Sequence, residues 1–532
     1  MSLQRRPARL LALALALALS GPALHAQASP RGLAQRIERI TSRPEFRHAL
    51  WGIEVYSLDT RRPLYTVNAD KLFVPGSTTK LLTEGSALGL LGADHRFHTP
   101  VYRTGPIAPD GTLDGDLVLV ASGDPNLSGR ITHDSILAFE NHDHSYGGDT
   151  ATRAVPGDPL LVVRALARQV SGKGIKRVLG RVIVDASLFP EGERELGTGV
   201  VISPIVVNDN VIDVTVTPGA DSGAPAAVQR APITAYARFV NQAKTGAPGS
   251  RSSIDWTADS TAPDGTHIVT IGGTIPARSK PLLYSYAVPS PSKFAEVVLT
   301  EALREVGVQV QTWEAGAGPG GTTSMYTPDH LVAEHVSPPL REEIKVTLKV
   351  SQNLHASETP LLLGAVVGKG DTARTGFDLE REFLTRAKLD LTGAQQGDGA
   401  GGNAHFTPAF MVSYLAYMAS RPDYRLFLAA LPVLGRDGTL SDIQPHAAAA
   451  GHVFAKTGTY FVGDPLNRRG LVTGKGLAGY VTTPAGHHLA FAAYINNVSV
   501  ADEPDAIKQV AGQALGEVAA AIYDAGDGAT GR

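Results

Sequence analysis

The stretch from about Thr99 to Pro328 differs in texture from the two ends of the chain. It alternates clusters of Gly, Pro and Asp with short β-like runs, among them Asp116–Ala121, Val178–Val184, Val211–Val216 and His267–Ile271. Turn residues between short alternating runs are typical of sheets built from short strands. The 57 glycines and 35 prolines of the 532-residue chain also favour turns over long helices. The sequence therefore predicts a β-rich central region large enough for one or two domains.

The segments on either side of this region carry longer strands and helical patterns. Trp51–Leu58 and Pro63–Val67 alternate around a polar turn, which predicts a hairpin. Helical patterns return from Leu331, and the end of the chain adds three β-like runs, His452–Thr459, Leu477–Thr482 and Leu489–Asn496. The short connections between these runs favour antiparallel pairing. A final helix is predicted from Pro504 to Gly526, because its apolar residues recur three and four positions apart.

Composition excludes several classes of protein. Hydrophobic residues make up 43% of the chain, which indicates a globular protein rather than a disordered one. The net charge is -3, from 48 basic and 51 acidic side chains, so the basic surplus typical of nucleic-acid-binding proteins is missing. The chain has no cysteine, which excludes disulfides, thiolate-ligated metals, iron–sulfur clusters and a cysteine nucleophile.

The first residues have the pattern of an export signal. A cluster of arginines up to Arg9 precedes an alternating Leu/Ala run over Leu10–Leu19, and Ala26–Ala28 offers small residues for cleavage before Ser29. The apolar run is shorter than the roughly 20 residues of an ordinary transmembrane helix. We expect residues 1–28 to be removed and the mature chain to be soluble, without a membrane span, and periplasmic or otherwise extracytoplasmic. The alternative is an uncleaved N-terminal anchor.

Ser77 and Lys80 form an S-x-x-K element at the predicted start of a helix. The helical stretch Lys80–Gly92 is apolar nearly all round apart from Glu84, which is typical of a buried helix. A serine hydroxyl becomes a nucleophile when a base takes its proton, and a lysine one turn away can do so if burial or a second cation lowers its pKa. Alone, Ser77 is better explained as an N-cap. A second S-x-x-K, Ser290–Lys293, is predicted to cap a half-solvated surface helix.

Two later elements add hydroxyls and a cation. Ser351-Gln352-Asn353 is the only S-x-N of the chain, and Lys456–Thr459 is a K-T-G-T inside a β-like run. A second K-T-G, Lys244–Gly246, is followed by Ala-Pro-Gly-Ser, a predicted turn, so it is not expected to form a strand edge. Cations and hydroxyls gathered around one serine suit acyl transfer to that serine from a peptide with an anionic terminus. The ordered set therefore favours catalysis over isolated capping roles.

The order S-x-x-K, S-x-N, K-T-G resembles the signature of the penicillin-binding proteins and serine β-lactamases. The chain is identified as a member of the S13 peptidase family, the class C low-molecular-mass penicillin-binding proteins of the penicillin-binding protein 4 type. Stretches similar to that family's patterns are Phe73–Thr83, Leu91–Thr99, Gly115–Leu127, Val207–Asn210, Leu431–Leu440 and Leu477–Thr483. The long stretch between Ser77 and Ser351 also fits, because this family has a large insertion there, whereas compact β-lactamases keep the two motifs close.

The resemblance implies a role for each motif residue. Ser77 would be the acylated nucleophile and Lys80 its general base, and Ser351 would pass a proton to the leaving nitrogen. Asn353 would hold the peptide carbonyl. The terminal carboxylate of D-Ala-D-Ala or of a β-lactam would be bound by the K-T-G-T strand: Lys456, Thr457, Gly458 and Thr459. Backbone N–H groups of Ser77 and Thr459 would form the oxyanion hole. Lys456 would also lower the pKa of Lys80, because like charges disfavour protonation.

The resemblance also implies the fold and the activity. The expected class is α+β: a serine β-lactamase/transpeptidase-like catalytic domain, an antiparallel sheet flanked by helices, with a large β-rich insertion. We expect a signal peptide over 1–28, catalytic parts over 29–99 and 331–532, and the insertion over 100–330. The expected activity is that of a D-alanyl-D-alanine carboxypeptidase or endopeptidase on peptidoglycan stem peptides, with β-lactams as covalent inhibitors and no metal or other cofactor. The alternatives are a serine β-lactamase or esterase on the same scaffold and a non-catalytic cell-wall binding protein.

Several stretches depart from the family pattern or suggest a second role. His355 follows Asn353 in a stretch where the family usually has an aromatic residue and an Ala-Glu pair, so it could line the site differently, but packing is its favoured role. Asp398–Gly402 replaces the family's D-G-S-G-L, which leaves its part in the pocket wall open. The connector Tyr460–Lys475 is predicted to be either a loop over the site or a plain surface insertion. His142–His144, with His133–Asp134 nearby, could ligate a metal, but without an HExxH motif a polar loop is the favoured interpretation.

Overall fold

The computed structural model describes residues 30–132, 135–310, 322–369, 371, 373–503 and 505–529. The predicted signal segment 1–28 lies outside the described residues, as do His133 and Asp134. The helices are α1 (Pro30–Thr41), α2 (Lys80–Leu91), α3 (Leu161–Gly172), α4 (Pro291–Glu305), α5 (Leu340–Val350), α6 (Asn353–Val366), α7 (Gly376–Arg386), α8 (Pro408–Ala419), α9 (Tyr424–Ala430) and α10 (Gln513–Ala529). The strands are β1 (Leu50–Ser57), β2 (Arg62–Val67), β3 (His98–Arg103), β4 (Thr112–Leu113), β5 (Leu117–Val120), β6 (Arg177–Val178), β7 (Val182–Asp185), β8 (Val211–Thr217), β9 (Ala227–Ala231), β10 (Ala237–Asn241), β11 (Lys244–Gly246), β12 (Asp255–Thr261), β13 (His267–Gly272), β14 (Thr274–Pro276), β15 (Leu282–Ala287), β16 (Gln309–Val310), β17 (Leu331–Val336), β18 (Ala394–Gln396), β19 (Ala404–Phe406), β20 (Val453–Asp464), β21 (Arg469–Thr482), β22 (His488–Asn496) and β23 (Val498–Ala501).

The largest sheet joins the two ends of the chain. Its strands lie in the order β2-β1-β22-β21-β20 with antiparallel neighbours, and β23 pairs with the outer part of β21. The predicted hairpin and the three predicted late strands are confirmed. Successive side chains of a strand point to opposite faces. On β22, Leu489 and Phe491 accordingly join the core beside α1 and α10, whereas Ala490 and Tyr494 pack towards α8 on the other face.

Helix α2 brings the first motif into the middle of the molecule. It is buried from Lys80 to Leu88, as its apolar composition predicts, and packs against α5, α6 and α7. The helix is entered through a 3₁₀ turn, Gly76–Thr79. Ser77 therefore lies within this turn, and its predicted place as the N-cap of the α-helix is wrong.

The central region forms several smaller sheets, as predicted. Their strand orders are β17-β3-β5-β7, β15-β8-β9, β10-β13-β12, β16-β6-β4 and β11-β14. Helices α3 and α4 pack on each other, and one apolar core runs through this region. Because β3 pairs with β17, the strands at the two predicted boundaries, 99/100 and 330/331, lie side by side in one sheet of the central region. The boundaries themselves stay a prediction.

The second K-T-G and the second S-x-x-K differ from their predictions in detail. Lys244–Gly246 forms the short strand β11 parallel to β14, so the expectation that it is no strand edge is wrong. The turn predicted directly after it is present, with the Ser250 N–H donating to the Ala247 carbonyl oxygen at 3.2 Å. Ser290 occupies the predicted N-cap position of α4. That helix is more deeply buried than the prediction of a half-solvated helix, since Phe294 and Val298 enter the core of the central region.

The C-terminal helix is longer than its sequence pattern predicts. It follows a π-type turn over Lys508–Gly512 and continues to Ala529, beyond the predicted end at Gly526. Its apolar residues pack beside α1 and close one face of the large sheet. In the described parts of the chain, no helix is both long enough and apolar enough to cross a membrane.

Candidate active site

Ser77 is held against the edge strand of the large sheet by a glycine contact. The turn Gly76–Thr79 lies directly on β20, where a Cβ on Gly458 would come within 1.9 Å of the carbonyl oxygen of Pro75. A residue with a side chain would push the two backbones apart. The glycine of K-T-G therefore has a steric role, since it lets the nucleophile candidate approach the strand that carries the other three residues of the motif.

The Lys80 ammonium lies at the centre of the site. Its Nζ is 2.9 Å from Ser77 Oγ, 3.2 Å from Ser351 Oγ, 2.8 Å from the Ser351 carbonyl oxygen and 2.5 Å from Asn353 Oδ1. Burial of this side chain lowers its pKa to about 7, although nearby carboxylates oppose the shift. Near neutral pH, Lys80 is therefore divided between its charged and neutral forms, which is the condition that suits a general base.

Ser351 lies between α5 and α6 in a backbone conformation that is rare for a residue with a side chain. Its φ of 66° and ψ of 36° are left-handed, at a cost of about 1–2 kcal/mol. The sharp turn brings Ser351 Oγ and Asn353 Oδ1 to the same ammonium of Lys80. Lys456 Nζ is 2.8 Å from Ser351 Oγ on the other side, so this hydroxyl lies between two lysines.

Lys456 is fully buried in the strand that carries K-T-G. Burial lowers its pKa well below the ordinary value, and the charges of Lys80 and Lys475 lower it further. The pKa of Lys80 is lowered, but the cause is burial and not the predicted charge of Lys456. Next in the motif, Thr457 Oγ1 donates to Thr439 Oγ1 at 2.8 Å, which adds one more hydroxyl to this wall.

Lys475 is a third lysine of the site, and motif reasoning missed it. It lies on β21 directly opposite Thr459, and its Nζ donates to Thr459 Oγ1 at 2.5 Å. Burial lowers the pKa of Lys475 to about 8. The one signal that could have revealed it is the cross-strand register of β20 and β21, because residues directly opposite on one face are neighbours.

Two cavities meet at Ser77. The smaller, of about 300 Å³, is lined by Glu195 and the glycine-rich stretch Asp398–Asn403. The larger, of about 710 Å³, is lined by the hydroxyl and lysine side of the site. Residues common to both walls are Ser77, Leu196, Gly197, Asn353, Thr459 and Tyr460. A molecule bound with one of its bonds next to the Ser77 hydroxyl can therefore extend into one cavity on each side of that bond.

The model of the D-Ala-D-Ala carboxypeptidase 3 (S13) family matches residues 33–515. The chain belongs to this peptidase family. It is similar to the D-alanyl-D-alanine carboxypeptidase of Actinomadura sp. (strain R39), with 30% identity over 511 residues that cover 92% of this chain and 85% of the relative.

Among solved structures, penicillin binding protein 4 from Haemophilus influenzae is similar in fold to this S13 chain, with a TM-score of 0.67 and 20% sequence identity over 92% of this chain and 98% of that one. The same protein complexed with a novel β-lactam gives a TM-score of 0.64, with the same identity and coverage. The predicted α+β class, a catalytic sheet with helices and a large β-rich insertion, is confirmed by this likeness.

The stretch Asp398–Gly402, which departs from the usual S13 pattern, forms part of the smaller cavity wall. Asp398 Oδ1 accepts the backbone N–H groups of Ala400, Gly401 and Gly402 and so closes the loop on itself. A Cβ on Gly401 would lie 2.1 Å from the carbonyl oxygen of Gly76. This loop therefore packs against the turn that carries Ser77.

The connector Tyr460–Lys475 of this S13 chain is not a separate loop. Strands β20 and β21 continue through it as antiparallel neighbours as far as Asp464 and Arg469. Tyr460 lines both cavities, whereas Leu466 at the tip is 90% exposed. The prediction of a loop over the site is wrong, because the residues at the base of the connector face the site as strand residues.

The predicted polar loop over His142–His144 is irregular up to a 3₁₀ turn that begins at His144, but most of it is not exposed to solvent. Asp143 and His144 are buried, and with Asp209 they bring candidate ligand atoms within 4.8 Å of one another. The Arg130 guanidinium is 2.6 Å from a carboxylate oxygen of each aspartate. It supplies the positive charge that a metal ion would supply, so the group is explained as an ionic cluster.

His355 lies in the same buried region as this cluster. Its Nε2 is 2.8 Å from Asp209 Oδ1 and its Nδ1 is 2.7 Å from Glu343 Oε1. The predicted packing role therefore takes the form of two buried ion pairs. Asp209 itself belongs to the family-like stretch Val207–Asn210, whose three polar residues all have positive φ.

Proposed function

We propose that this S13 chain is a serine-type D-Ala-D-Ala carboxypeptidase and endopeptidase that cleaves peptidoglycan stem peptides through an acyl-enzyme on Ser77. The observation that carries the proposal is the buried Nζ of Lys80, which contacts Ser77, Ser351 and Asn353 at the junction of two cavities. Acyl transfer is the chemistry that uses a serine, a base with a lowered pKa and a second hydroxyl together.

Acylation begins when neutral Lys80 takes the proton of Ser77 Oγ and this oxygen attacks the carbonyl carbon of the penultimate D-Ala. Backbone N–H groups of Ser77 and Thr459 stabilise the oxyanion, and Asn353 holds the neighbouring peptide carbonyl. As the C–N bond breaks, Ser351 Oγ gives its proton to the leaving nitrogen. Lys80 returns a proton to Ser351 across their 3.2 Å contact. Water then hydrolyses the ester and restores the Ser77 hydroxyl.

The carboxylate of the leaving residue binds in the larger cavity. Thr457, Thr459 and Lys475 line this cavity. The fully buried Lys456 lies behind its wall, where its Nζ contacts Ser351 Oγ and the carbonyl oxygen of Thr457. In the free enzyme, burial and mutual repulsion disfavour three charged lysines so close together. An arriving carboxylate raises the pKa of Lys475, which lets this lysine bind it in the charged form while Lys80 stays neutral as the base.

The comparisons support the carboxypeptidase activity and the binding of β-lactams. The Actinomadura relative is named a D-alanyl-D-alanine carboxypeptidase, and the Haemophilus influenzae protein has been solved with a β-lactam. A β-lactam presents a carboxylate beside a strained amide, so we infer that it acylates Ser77. The larger cavity, of about 710 Å³, has room for a cross-linked leaving group, which favours endopeptidase action as well. We infer export through residues 1–28, because this substrate lies outside the cytoplasm.

A direct assay tests the proposal. The mature chain is expected to release D-Ala from diacetyl-L-Lys-D-Ala-D-Ala, measured by coupled oxidation of the D-amino acid, and to convert cross-linked muropeptide dimers to monomers, measured by chromatography. Benzylpenicillin is expected to block both reactions. Rapid hydrolysis of benzylpenicillin without a lasting adduct would instead identify a β-lactamase. Inertness towards all three compounds would overturn the proposal and leave a cell-wall binding protein.

The expected pH dependence of D-Ala release follows from the titration of two lysines, Lys80 and Lys475. We expect kcat/KM for D-Ala release to rise as the pH increases through about 7, because Lys80 must be neutral to accept the Ser77 proton. It is expected to fall as the pH increases through about 8, because Lys475 must be charged to bind the carboxylate. Lys475→Met is expected to raise KM about 10-fold, the effect of one charged hydrogen bond, and to remove the basic limb only.

The control is Lys71→Met, which removes an exposed lysine paired with Asp70 and is expected to leave the profile unchanged. A basic limb that persists in Lys475→Met, with KM unaltered, would contradict the assigned role of Lys475.

A further inference from the structure

The Ser351–Asn353 turn is held from outside the catalytic sheet. Tyr146 donates its hydroxyl to the Ser351 carbonyl oxygen at 2.5 Å, the same oxygen that accepts from Lys80. Gln352 Nε2 reaches Ser145 Oγ at 3.2 Å and Asp143 Oδ1 at 3.3 Å. The three residues that hold the turn, Asp143, Ser145 and Tyr146, belong to the central β-rich region and precede Ser351 by more than 200 residues in the sequence.

Gln352 is itself buried and contributes to the geometry of the next helix. Its Oε1 accepts the backbone N–H of Leu354 at 3.0 Å and so caps α6, which begins at Asn353. One side chain thus fixes the start of the helix that carries Asn353 and links the turn to Asp143. Unlike Ser351 and Asn353, Gln352 is absent from the walls of the two cavities that the described residues form at Ser77.

Asp143, which accepts a hydrogen bond from Gln352, also belongs to the buried ionic cluster. Arg130 bridges Asp143 and Asp209 at 2.6 Å each, and Asp209 accepts from His355 of α6 at 2.8 Å. His144 contacts the second carboxylate oxygen of Asp209 at 2.6 Å. The cluster therefore contacts the start of α6 at two points, through the hydrogen bond of Gln352 to Asp143 and through that of His355 to Asp209.

The charges of the cluster make it stiff. Burial lowers the pKa of His144 and of His355, but the neighbouring carboxylates outweigh it, raising the pKa of His144 to about 10 and that of His355 well above its usual range. Arg130 and His355 hold the pKa of Asp209 well below its usual range, against the effect of burial. Removing one partner of such a buried pair leaves an uncompensated charge, so the arrangement resists displacement.

We propose that Gln352 is a positioning residue through which the central β-rich region sets the rate of Ser77 acylation. The proposal rests on the proposed function. Ser351 keeps its left-handed backbone because its carbonyl oxygen accepts hydrogen bonds from Tyr146 and Lys80. The next residue, Gln352, is fixed at the same time by hydrogen bonds to Ser145 and Asp143. Without the amide of Gln352 the turn shifts, and both Ser351 Oγ and Asn353 Oδ1 leave their places beside Lys80. A misplacement of about 1 Å can cost about 100-fold in rate.

The test follows the time course of benzylpenicillin acylation by intact-mass spectrometry in Gln352→Met, which keeps the length of the side chain but removes its amide. We expect the rate constant to fall about 10- to 100-fold, while every chain is acylated in the end and the KM for the D-Ala-D-Ala peptide changes less than about 3-fold. A merely structural role would lower the melting temperature or the fraction of chains that react, but not the rate constant of those that do. An unchanged rate constant would overturn the proposal.

A second pair of variants keeps the test decisive if Gln352→Met fails to fold. Tyr146→Phe removes the hydroxyl that grips the Ser351 carbonyl, and Tyr286→Phe removes a hydroxyl that donates to Asp259 at 2.6 Å elsewhere in the central region. We expect slower acylation in the first variant and the wild-type rate in the second. Equal rates in both would refute the positioning role. An unreactive wild-type chain would refute the proposed function itself, which is a different result.

Discussion

Ser77→Ala is expected to abolish the covalent adduct that the wild-type chain forms with benzylpenicillin. The methyl group keeps the turn over β20 intact, since Gly458 makes the close contact, but it leaves no atom to be acylated. Release of D-Ala is expected to fall by at least about 10⁴-fold, the scale on which serine hydrolases lose activity without their nucleophile. Intact-mass spectrometry after brief exposure to benzylpenicillin measures the first effect, and the coupled D-Ala assay measures the second.

The chain offers a matched control for this variant. Ser290 belongs to the second S-x-x-K and occupies the N-cap position of α4 in the central region. Ser290→Ala is expected to form the adduct at the wild-type rate and to stoichiometric yield. An adduct that persists in Ser77→Ala, or is lost in Ser290→Ala, would show that the wrong serine has been assigned.

The parts of the fold that sequence predicts well are those with local causes. The hairpin β1–β2 follows from alternation around a turn, and the buried helix α2 follows from a surface that is apolar on every side. The late strands are similar, because each carries its own alternating or apolar run. Even the meeting of the three motifs was predictable, but only because their order resembles a family in which they converge.

Lys475 shows what such patterns leave out. It faces Thr459 because β20 and β21 run on together past the motif, with a register shift between Tyr460 and Phe461. A slip of one residue would turn Lys475 to the opposite face of the sheet. Single-sequence patterns do not fix the register of a long hairpin, so the connector with its Gly463-Asp464-Pro465 stretch is open to two predictions, a loop over the site or a surface insertion.

The burial of Asp143 and His144 escapes sequence-based prediction for a different reason. Its composition is that of a solvated loop, and burial of such side chains is costly unless charged partners surround them. Those partners, Arg130 and Asp209, are brought together only by the completed fold of the central region. The sequence shows the charges but not their pairing, so it could not show that this cluster supports the Ser351–Asn353 turn.

Lys80→Met is expected to slow acylation by benzylpenicillin about 10³-fold, within the range that general-base catalysis contributes. Methionine fills nearly the same buried space, but it cannot take the proton of Ser77 Oγ. Every contact from the central region to the turn remains, Tyr146 to the Ser351 carbonyl and Ser145 and Asp143 to Gln352, so the turn is expected to hold. The residual rate is expected to lose the rise near pH 7 that Lys80 gives the wild-type chain, since no group with that pKa then controls the attack.

Lys293→Met supplies the comparison, because Lys293 has the same place in the second S-x-x-K and pairs with Glu296 on α4. We expect it to keep both the wild-type rate and the wild-type pH profile. The pH profile also separates Lys80 from Lys456, whose amino group reaches Ser351 but has no contact with Ser77 Oγ among the hydrogen bonds of the described residues. If Lys80→Met still showed a rise in rate near pH 7, Lys456 or another group would be the base, and the proton path from Ser77 would have to run through Ser351.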